Sequence, residues 1–310
     1  MNKKLGFAFP GQGSQSPGML AEHFKTSKIF NTVFDISKEV LDIDFKNLVQ
    51  EGSIEDLSAT QITQPLLLTA NYAIWKVADI NPKSVHLMAG HSLGEYSAYV
   101  AAESLKFEDA LKLVSLRAQY MQESVKEGDG GIAAVIGLNY DSLLEICNKI
   151  TNEGDLVSMA NLNSENQIVI SGTKTAVDKA IILCKENGAK RAIPLAMSVP
   201  SHCKLMTPAS IKFAEDLNKV EFTEPQTKVI QNFSVAHTDD VSKIKENLIS
   251  QLYSPVRWAE IMKYFNDNKI THFYECGPSK VLTGLIKKQF IDTKLHTLDD
   301  FETLTSIKES

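Results

Sequence analysis

Five residues, Gly90-His91-Ser92-Leu93-Gly94, place a serine between two glycines with one residue on either side. This G-x-S-x-G spacing suits a nucleophile elbow, a sharp strand-to-helix turn that lifts a hydroxyl out of the fold. The glycines leave room for the turn, and its central residue is expected in a strained backbone conformation. A bare match recurs by chance, so its weight comes from its flanks. Upstream, Val85–Ala89 is a short apolar run fit for a buried strand, and downstream Glu95–Ala102 reads as a helix. The start of that helix would point free backbone N–H groups at whatever Ser92 attacks.

A serine nucleophile needs a base, and the base needs an orienter. The chain has seven histidines. His23, His86, His237, His272 and His296 come with no other catalytic feature and read as structural. His91 adjoins Ser92, and neighbouring side chains on a tight turn diverge, which argues against it. His202 sits in Ser198-Val199-Pro200-Ser201-His202-Cys203, a proline-marked loop at a domain junction, where catalytic groups tend to be mounted. It is either the base or a structural histidine. Cys203 as nucleophile, with His202 as its base, suffers from the same adjacency as His91.

Arg117 lies within an apolar stripe, with Leu113 and Val114 before it and Tyr120 and Met121 after it on one helical face. A guanidinium keeps its charge and is costly to bury unpaired, so it must meet an anion. Either an internal Asp or Glu supplies that anion, or a substrate carboxylate does, gripped by the two-pronged guanidinium. The turn Gln12-Gly13-Ser14-Gln15 after the first strand could supply one oxyanion donor, with Leu93 N–H as the other. Phosphate binding is the competing use of that turn. However, Gly11-Gln12-Gly13-Ser14-Gln15-Ser16 lacks the third glycine of G-x-G-x-x-G, and no G-K-[S/T] follows.

The 310 residues suggest one large domain or two ordinary ones, with 43% hydrophobic and 23% charged residues for an ample core. A net charge of −6 and a pI near 5.7 argue against a nucleic-acid binder. No apolar run approaches the roughly 18–20 residues that span a bilayer. Lys3-Lys4 is followed only by Leu5–Phe9 before Pro10-Gly11, too short for a signal segment, so a cytoplasmic protein is expected. Cys147, Cys184, Cys203 and Cys276 form no C-x-x-C pair, and H-E-x-x-H is absent, so no metal site is expected.

These residues need elements to hold them. Strand Leu5–Phe9 opens the chain, and helices follow to about Ile80, including Leu66–Val77 with Pro65 in its first turn. Beyond the elbow a helix spans Phe107 to about Val125. Gly128-Asp129-Gly130-Gly131 then marks a change of pattern. Strand Ile132–Leu138, helix Asp141–Ile150, strands Leu156–Ala160 and Gln167–Ser171, helix Lys174–Asn187 and strand Arg191–Ala196 follow. That β-α-β-β-α-β order is the signature of a ferredoxin-like unit. Parallel-sheet strands resume at Lys228–Gln231 and His272–Cys276, and Gly277-Pro278 leads into a helix Ser279–Phe290. The expected fold is α/β, a hydrolase-like core with a mainly parallel sheet plus an inserted ferredoxin-like α+β subdomain. The core is discontinuous, over residues 1–127 and 198–310, and the subdomain covers 128–197.

Five motifs appear in order: Phe9-Pro10-Gly11-Gln12-Gly13-Ser14-Gln15, Gly90-His91-Ser92-Leu93-Gly94-Glu95, Arg117 in its helix, Val199-Pro200-Ser201-His202, and Gln251 before Ser254-Pro255-Val256-Arg257-Trp258. Over essentially its full length the chain closely resembles the bacterial malonyl-CoA:acyl carrier protein transacylase family, of type II fatty acid synthesis. The resemblance implies that Ser92 is the acylated nucleophile and His202 its general base and acid. A main-chain carbonyl at Gln251 would orient that histidine in place of an aspartate, Gln12 and Leu93 would donate backbone N–H groups to the oxyanion, and Arg117 would clamp the malonyl carboxylate. Gln64 matches a residue lining the pocket. Lys190-Arg191 and Lys287-Lys288 match basic positions linked to CoA phosphate or carrier contact, although an ordinary solvated face would look the same. The implied substrate is malonyl-CoA and the implied partner is acyl carrier protein with its phosphopantetheine. No bound cofactor, nucleic acid or membrane is implied, and a monomer is expected. A serine thioesterase would share the elbow and base without needing Arg117, and a nucleotide-binding protein would use only the glycine-rich turn.

Overall fold

A computed structural model describes residues 3–195, 199–287, 290 and 292–307. A five-stranded, all-parallel sheet has the order β7-β2-β1-β8-β9. Its strands are β1 (Leu5–Phe9), β2 (Leu87–Gly90), β7 (Val229–Ile230), β8 (His272–Glu275) and β9 (Lys294–Thr297). The central strands are apolar because both faces are covered: Phe7, Phe9, Met88 and Ala89 have no exposed surface. Phe7 stacks on Tyr274 and meets Trp75 edge-on, joining the sheet to the helix Thr60–Ala78.

A second sheet, antiparallel, has the order β4-β5-β3-β6, with β3 (Gly130–Ile136), β4 (Val157–Ser164), β5 (Gln167–Thr173) and β6 (Arg191–Pro194). Helices Tyr140–Asn152 and Lys174–Glu186 bury Leu143, Ile146, Val177 and Cys184 with Val135 and Ile170 of the sheet, in a hydrophobic cluster separate from those around the parallel sheet. The two sheets are stitched together by main chain. Val256 N–H donates to Ala160 O and Leu162 N–H donates to Val256 O, both at 2.8 Å, so β4 gains a one-residue parallel partner from Ser254-Pro255-Val256-Arg257-Trp258.

The expected α/β fold with a mainly parallel sheet is observed, and the departures from expectation have local causes. Pro65 is not in a first turn: the helix begins at Thr60, so Pro65 is its sixth residue. Thr63 sustains the preceding turn, its N–H and Oγ1 both donating to Ala59 O, and the hydroxyl also reaches Leu57 O. A proline there costs about 3 kcal/mol, which burial of 15 of the 19 helix residues can offset. The expected helix Ser279–Phe290 is shorter, Val281–Ile286: the Glu275 carboxylate caps its first turn, accepting from Leu282 N–H and Thr283 N–H, and residues 288 and 289 of the expected helix lie outside the described residues. The expected strand Lys228–Gln231 shrinks to two residues, and Ala196 of the expected last subdomain strand lies outside the described residues, as does Ser198. Strand β9 and its parallel pairing with β8 are additional to the sequence reading.

Candidate active site

Parallel sheets present ligand sites at the carboxyl ends of their strands. Phe9 and Gly90 end β1 and β2 in register, so the glycine-rich turn and the Ser92 elbow emerge side by side. The elbow glycines serve close approach. A Cβ at Gly90 would sit 1.8 Å from the Gly94 carbonyl carbon, and one at Gly94 would sit 2.0 Å from Phe9 O. Gly11 is pinned likewise, 2.4 Å from His91 O. Ser92 itself has φ 52°, the left-handed region that non-glycine residues avoid at a cost of 1–2 kcal/mol. Asn232 holds it there: Ser92 N–H donates to Asn232 Oδ1 (2.7 Å), and Asn232 Nδ2 donates to Gly90 O (2.6 Å).

His202, also in the left-handed region at φ 61°, faces Ser92 with Nε2 2.7 Å from Oγ. Its Nδ1 lies 2.8 Å from Gln251 O, which can only accept, so Nδ1 carries the proton and Nε2 is left free to accept from the hydroxyl. Burial, reinforced by the Arg117 guanidinium, pushes the imidazole down to about 3, so it stands neutral at physiological pH. His91 points elsewhere, bonding Asn163 Oδ1 at 2.8 Å and lying against Trp258. Cys203 is buried with its thiol donating to Pro200 O, and burial pushes that thiol up, away from thiolate chemistry.

Arg117 is 1% exposed in the helix Phe107–Glu123. Its guanidinium donates to Gln64 Oε1, to Gln251 Oε1 (3.1 Å) and to Ser92 Oγ (3.2 Å), with the Tyr96 ring 5.6 Å away. All of these partners are neutral. Of the two anions weighed for Arg117, an internal carboxylate is therefore not in contact among the described residues, and an acidic group entering from the cavity remains.

A cavity of about 430 Å³ is lined by Gln12, Gln64, Ser92, Leu93, Arg117 and His202, with Ala134 and Val169 of the second sheet on its far wall. Leu93 N–H and Gln12 N–H have no protein acceptor among the described residues, as an oxyanion site requires. The glycine-rich turn does not run into a helix: the next one starts at Ala21, so its N–H groups are not backed by a helix terminus as in a dinucleotide site. Lys190, Arg191 and Lys287 are exposed, and Lys288 lies outside the described residues. Lys287 lines a groove that shares Gln167 and Leu285 with the cavity, whereas Lys190 and Arg191 line neither. Among the described residues no cluster of His, Cys, Asp or Glu could hold a metal ion, and no helix is long and apolar enough to cross a membrane.

Two site residues escaped the sequence reading. Glu95, 1% exposed, accepts from Gln251 Nε2 (2.7 Å) and Asn232 N–H (3.0 Å); burial pushes its carboxyl up to about 7 despite these donors and Arg117. Asn232 lies just past the end of β7, and a polar residue at the carboxyl end of a parallel strand was the available signal. Glu95 carried no such mark, because a glutamate in a first helical turn is commonplace on a surface.

Residues 6–302 match the family model described as acyl transferase domain. The malonyl CoA-acyl carrier protein transacylase of Salmonella typhimurium is 46% identical over 291 residues, covering 94% of each chain. That of Bacillus subtilis is 44% identical, covering 97% of this chain and 95% of its own. Among solved structures, the malonyl CoA-acyl carrier protein transacylase from Coxiella burnetii superposes with a TM-score of 0.95 at 45% identity, over 99% of this chain and 98% of the other. A type II PKS acyl-carrier protein complex with its malonyl-transacylase is similar to the same degree, with a TM-score of 0.95 at 43% identity over 99% of both chains.

Proposed function

The chain belongs to the acyl transferase domain family, and from that membership and the site geometry we propose that it is a malonyl-CoA:acyl carrier protein transacylase supplying fatty acid synthesis. The observation that carries the reading is Ser92 Oγ held between a neutral, carbonyl-oriented His202 and a buried Arg117 with no anion in contact among the described residues.

Ser92 passes its proton to His202 Nε2 as Oγ attacks the malonyl thioester carbon. The carbonyl oxygen becomes an oxyanion between the Gln12 and Leu93 amides. The tetrahedral intermediate collapses by breaking the C–S bond, His202 returns the proton to the departing CoA sulfur, and a malonyl-serine ester remains. The phosphopantetheine thiol of acyl carrier protein then gives its proton to His202, attacks the ester carbon and leaves as the malonyl thioester, restoring Ser92 O–H. The ester lies between two thioesters of similar energy, so the exchange runs both ways.

Arg117 selects for the malonyl carboxylate, because an apolar acyl group would leave the guanidinium buried without an anion. Gln64 lines the same pocket and holds one arm of Arg117. Lys287, on the adjoining groove, suits the CoA phosphates or the acidic carrier, and Lys190 and Arg191, outside that groove, are assigned to the same contact. Residues 128–197 are read as the inserted subdomain and 1–127 with 198–310 as the core. The reading is of a cytoplasmic monomer with no cofactor of its own and no nucleic-acid or membrane partner. Intact-protein mass after mixing with malonyl-CoA should show one added malonyl group in the wild type and none in Ser92→Ala. Acylation persisting in Ser92→Ala would sink the assignment.

A further inference from the structure

The Gln251 side-chain amide is wedged between donors and acceptors. Its Oε1 accepts from Arg117 at 3.1 Å, while its Nε2 donates to Ser92 O at 3.0 Å and to Glu95 Oε2 at 2.7 Å. Reversed, the amide would set N–H against guanidinium N–H and oxygen against two oxygens. Glu95 is 1% exposed, and its other oxygen, Oε1, makes no hydrogen bond of normal geometry among the described residues, although the Gln231 amide is near enough to favour its charge. A buried carboxylate with half its capacity unused is costly to keep for packing alone. We propose that Glu95 is a positioning residue: by accepting from Gln251 Nε2 it fixes which way round that amide lies, and so keeps Gln251 Oε1 facing Arg117.

The consequence is greatest after acylation. Arg117 in the free enzyme has three acceptors, but one of them is Ser92 Oγ, which becomes a weakly accepting ester oxygen in the intermediate. Gln64 and Gln251 then hold the guanidinium between them, at the stage when the malonyl group must stay anchored until the carrier thiol arrives. Glu95 acts through Gln251 and touches no reacting atom. The inference rests on Arg117 being the partner of the malonyl carboxylate.

The test compares serine acylation by malonyl-CoA with that by acetyl-CoA, which lacks the carboxylate. Glu95→Met removes the acceptor at similar volume and is expected to lower malonyl kcat/KM about tenfold or more while acetyl kcat/KM changes by less than about threefold, the scale of one charge-assisted hydrogen bond. Glu95→Gln, whose amide oxygen can take the same two donors, should restore most of the lost selectivity. Gln251→Met deletes the wedge but keeps the main-chain carbonyl on His202, and should reproduce the split whether or not Glu95→Met folds. Glu95→Met added to Gln251→Met should then cost no further selectivity. Equal losses for both acyl groups, failure of Glu95→Gln to rescue, an unselective Gln251→Met or additive effects would each overturn the proposal. Arg117→Ala run alongside separates the two readings. If it loses both activities equally, the carboxylate clamp itself fails; if it is selective while Glu95→Met is not, only the role of Glu95 fails.

Discussion

At the residue scale the site is a set of neutral contacts around one charge. Among the described residues Arg117 hydrogen-bonds only neutral groups, with the Glu95 carboxyl set behind Gln251, so no carboxylate touches the guanidinium until one enters the cavity. Arg117→Ala should therefore lower malonyl transfer by about ten- to hundredfold, the worth of a charge-assisted bond, while acetyl transfer changes far less. Parallel acylation assays with the two thioesters decide this, and equal losses would count against it. His202 supplies a second expectation. Its folded-state acidity lies at about 3, below the ordinary imidazole value, so the neutral base persists as pH falls. An unperturbed imidazole near 6.5 would leave roughly a tenth of the enzyme active at pH 5.5. Single-turnover acylation by acetyl-CoA, which makes no use of the Glu95–Gln251–Arg117 contacts, should instead stay flat from pH 8 to 5.5. Removing Arg117, which contributes to the depression, should move the acid limb to higher pH. Ser92, Arg117 and His202 were legible because each broke a local pattern: an elbow, a charge in an apolar stripe, a proline-marked loop. Glu95 broke none, since depth of burial is a tertiary property that one turn of helix does not encode.

At the element scale, the elbow is a packing solution in which β1, β2 and the helix Gly94–Ala101 approach closer than side chains allow. Gly90→Ala would force a methyl group into the Gly94 main chain, where nothing flexible can yield. The expected result is a loss of several kcal/mol, at the severe end for single substitutions, together with loss of serine acylation. Urea unfolding and mass labelling measure the two effects, and a variant that is both stable and acylated would refute the packing account. Helix and strand types were largely readable from periodicity, but ends were not. Pro65 marked a boundary that Thr63 and burial on nearly all sides overrode, and the Glu275 carboxylate set the start of a helix from a strand several residues earlier. Both corrections come from side chains answering main-chain groups, which residue patterns do not display.

At the scale of the whole molecule, the cavity lies where two separately cored sheets meet. Val256 pairs with β4, His91 reaches Asn163, and Ser171 Oγ donates to Ser201 O, so contacts across the seam adjoin the loops of both Ser92 and His202. The Ser254-Pro255-Val256-Arg257-Trp258 motif was visible in the sequence, but its task as a strand partner was not, because pairing of residues as distant as Asn161 and Val256 leaves no local trace. The groove beside the cavity carries Lys287 on its rim, on a chain whose net charge is −6. Lys287→Glu should raise the KM for acyl carrier protein severalfold, more at low salt, and leave the KM for malonyl-CoA unchanged if the lysine serves the carrier. Steady-state kinetics with each substrate varied in turn would show it, and unchanged carrier kinetics would remove Lys287 from the docking surface.

Gln251, whose carbonyl receives the His202 proton, is the last residue of the helix Val241–Gln251. The aligned peptide dipoles of such a helix place roughly half a negative elementary charge at that end. In the proposed mechanism the cation formed when His202 takes up the serine proton would sit against this fixed partial charge, where an aspartate would supply a whole one. A peptide dipole has no proton to gain, so the orienter stays the same at every pH at which the protein is folded. The base can be tuned in strength by its surroundings, and its main-chain orienter brings no titration of its own.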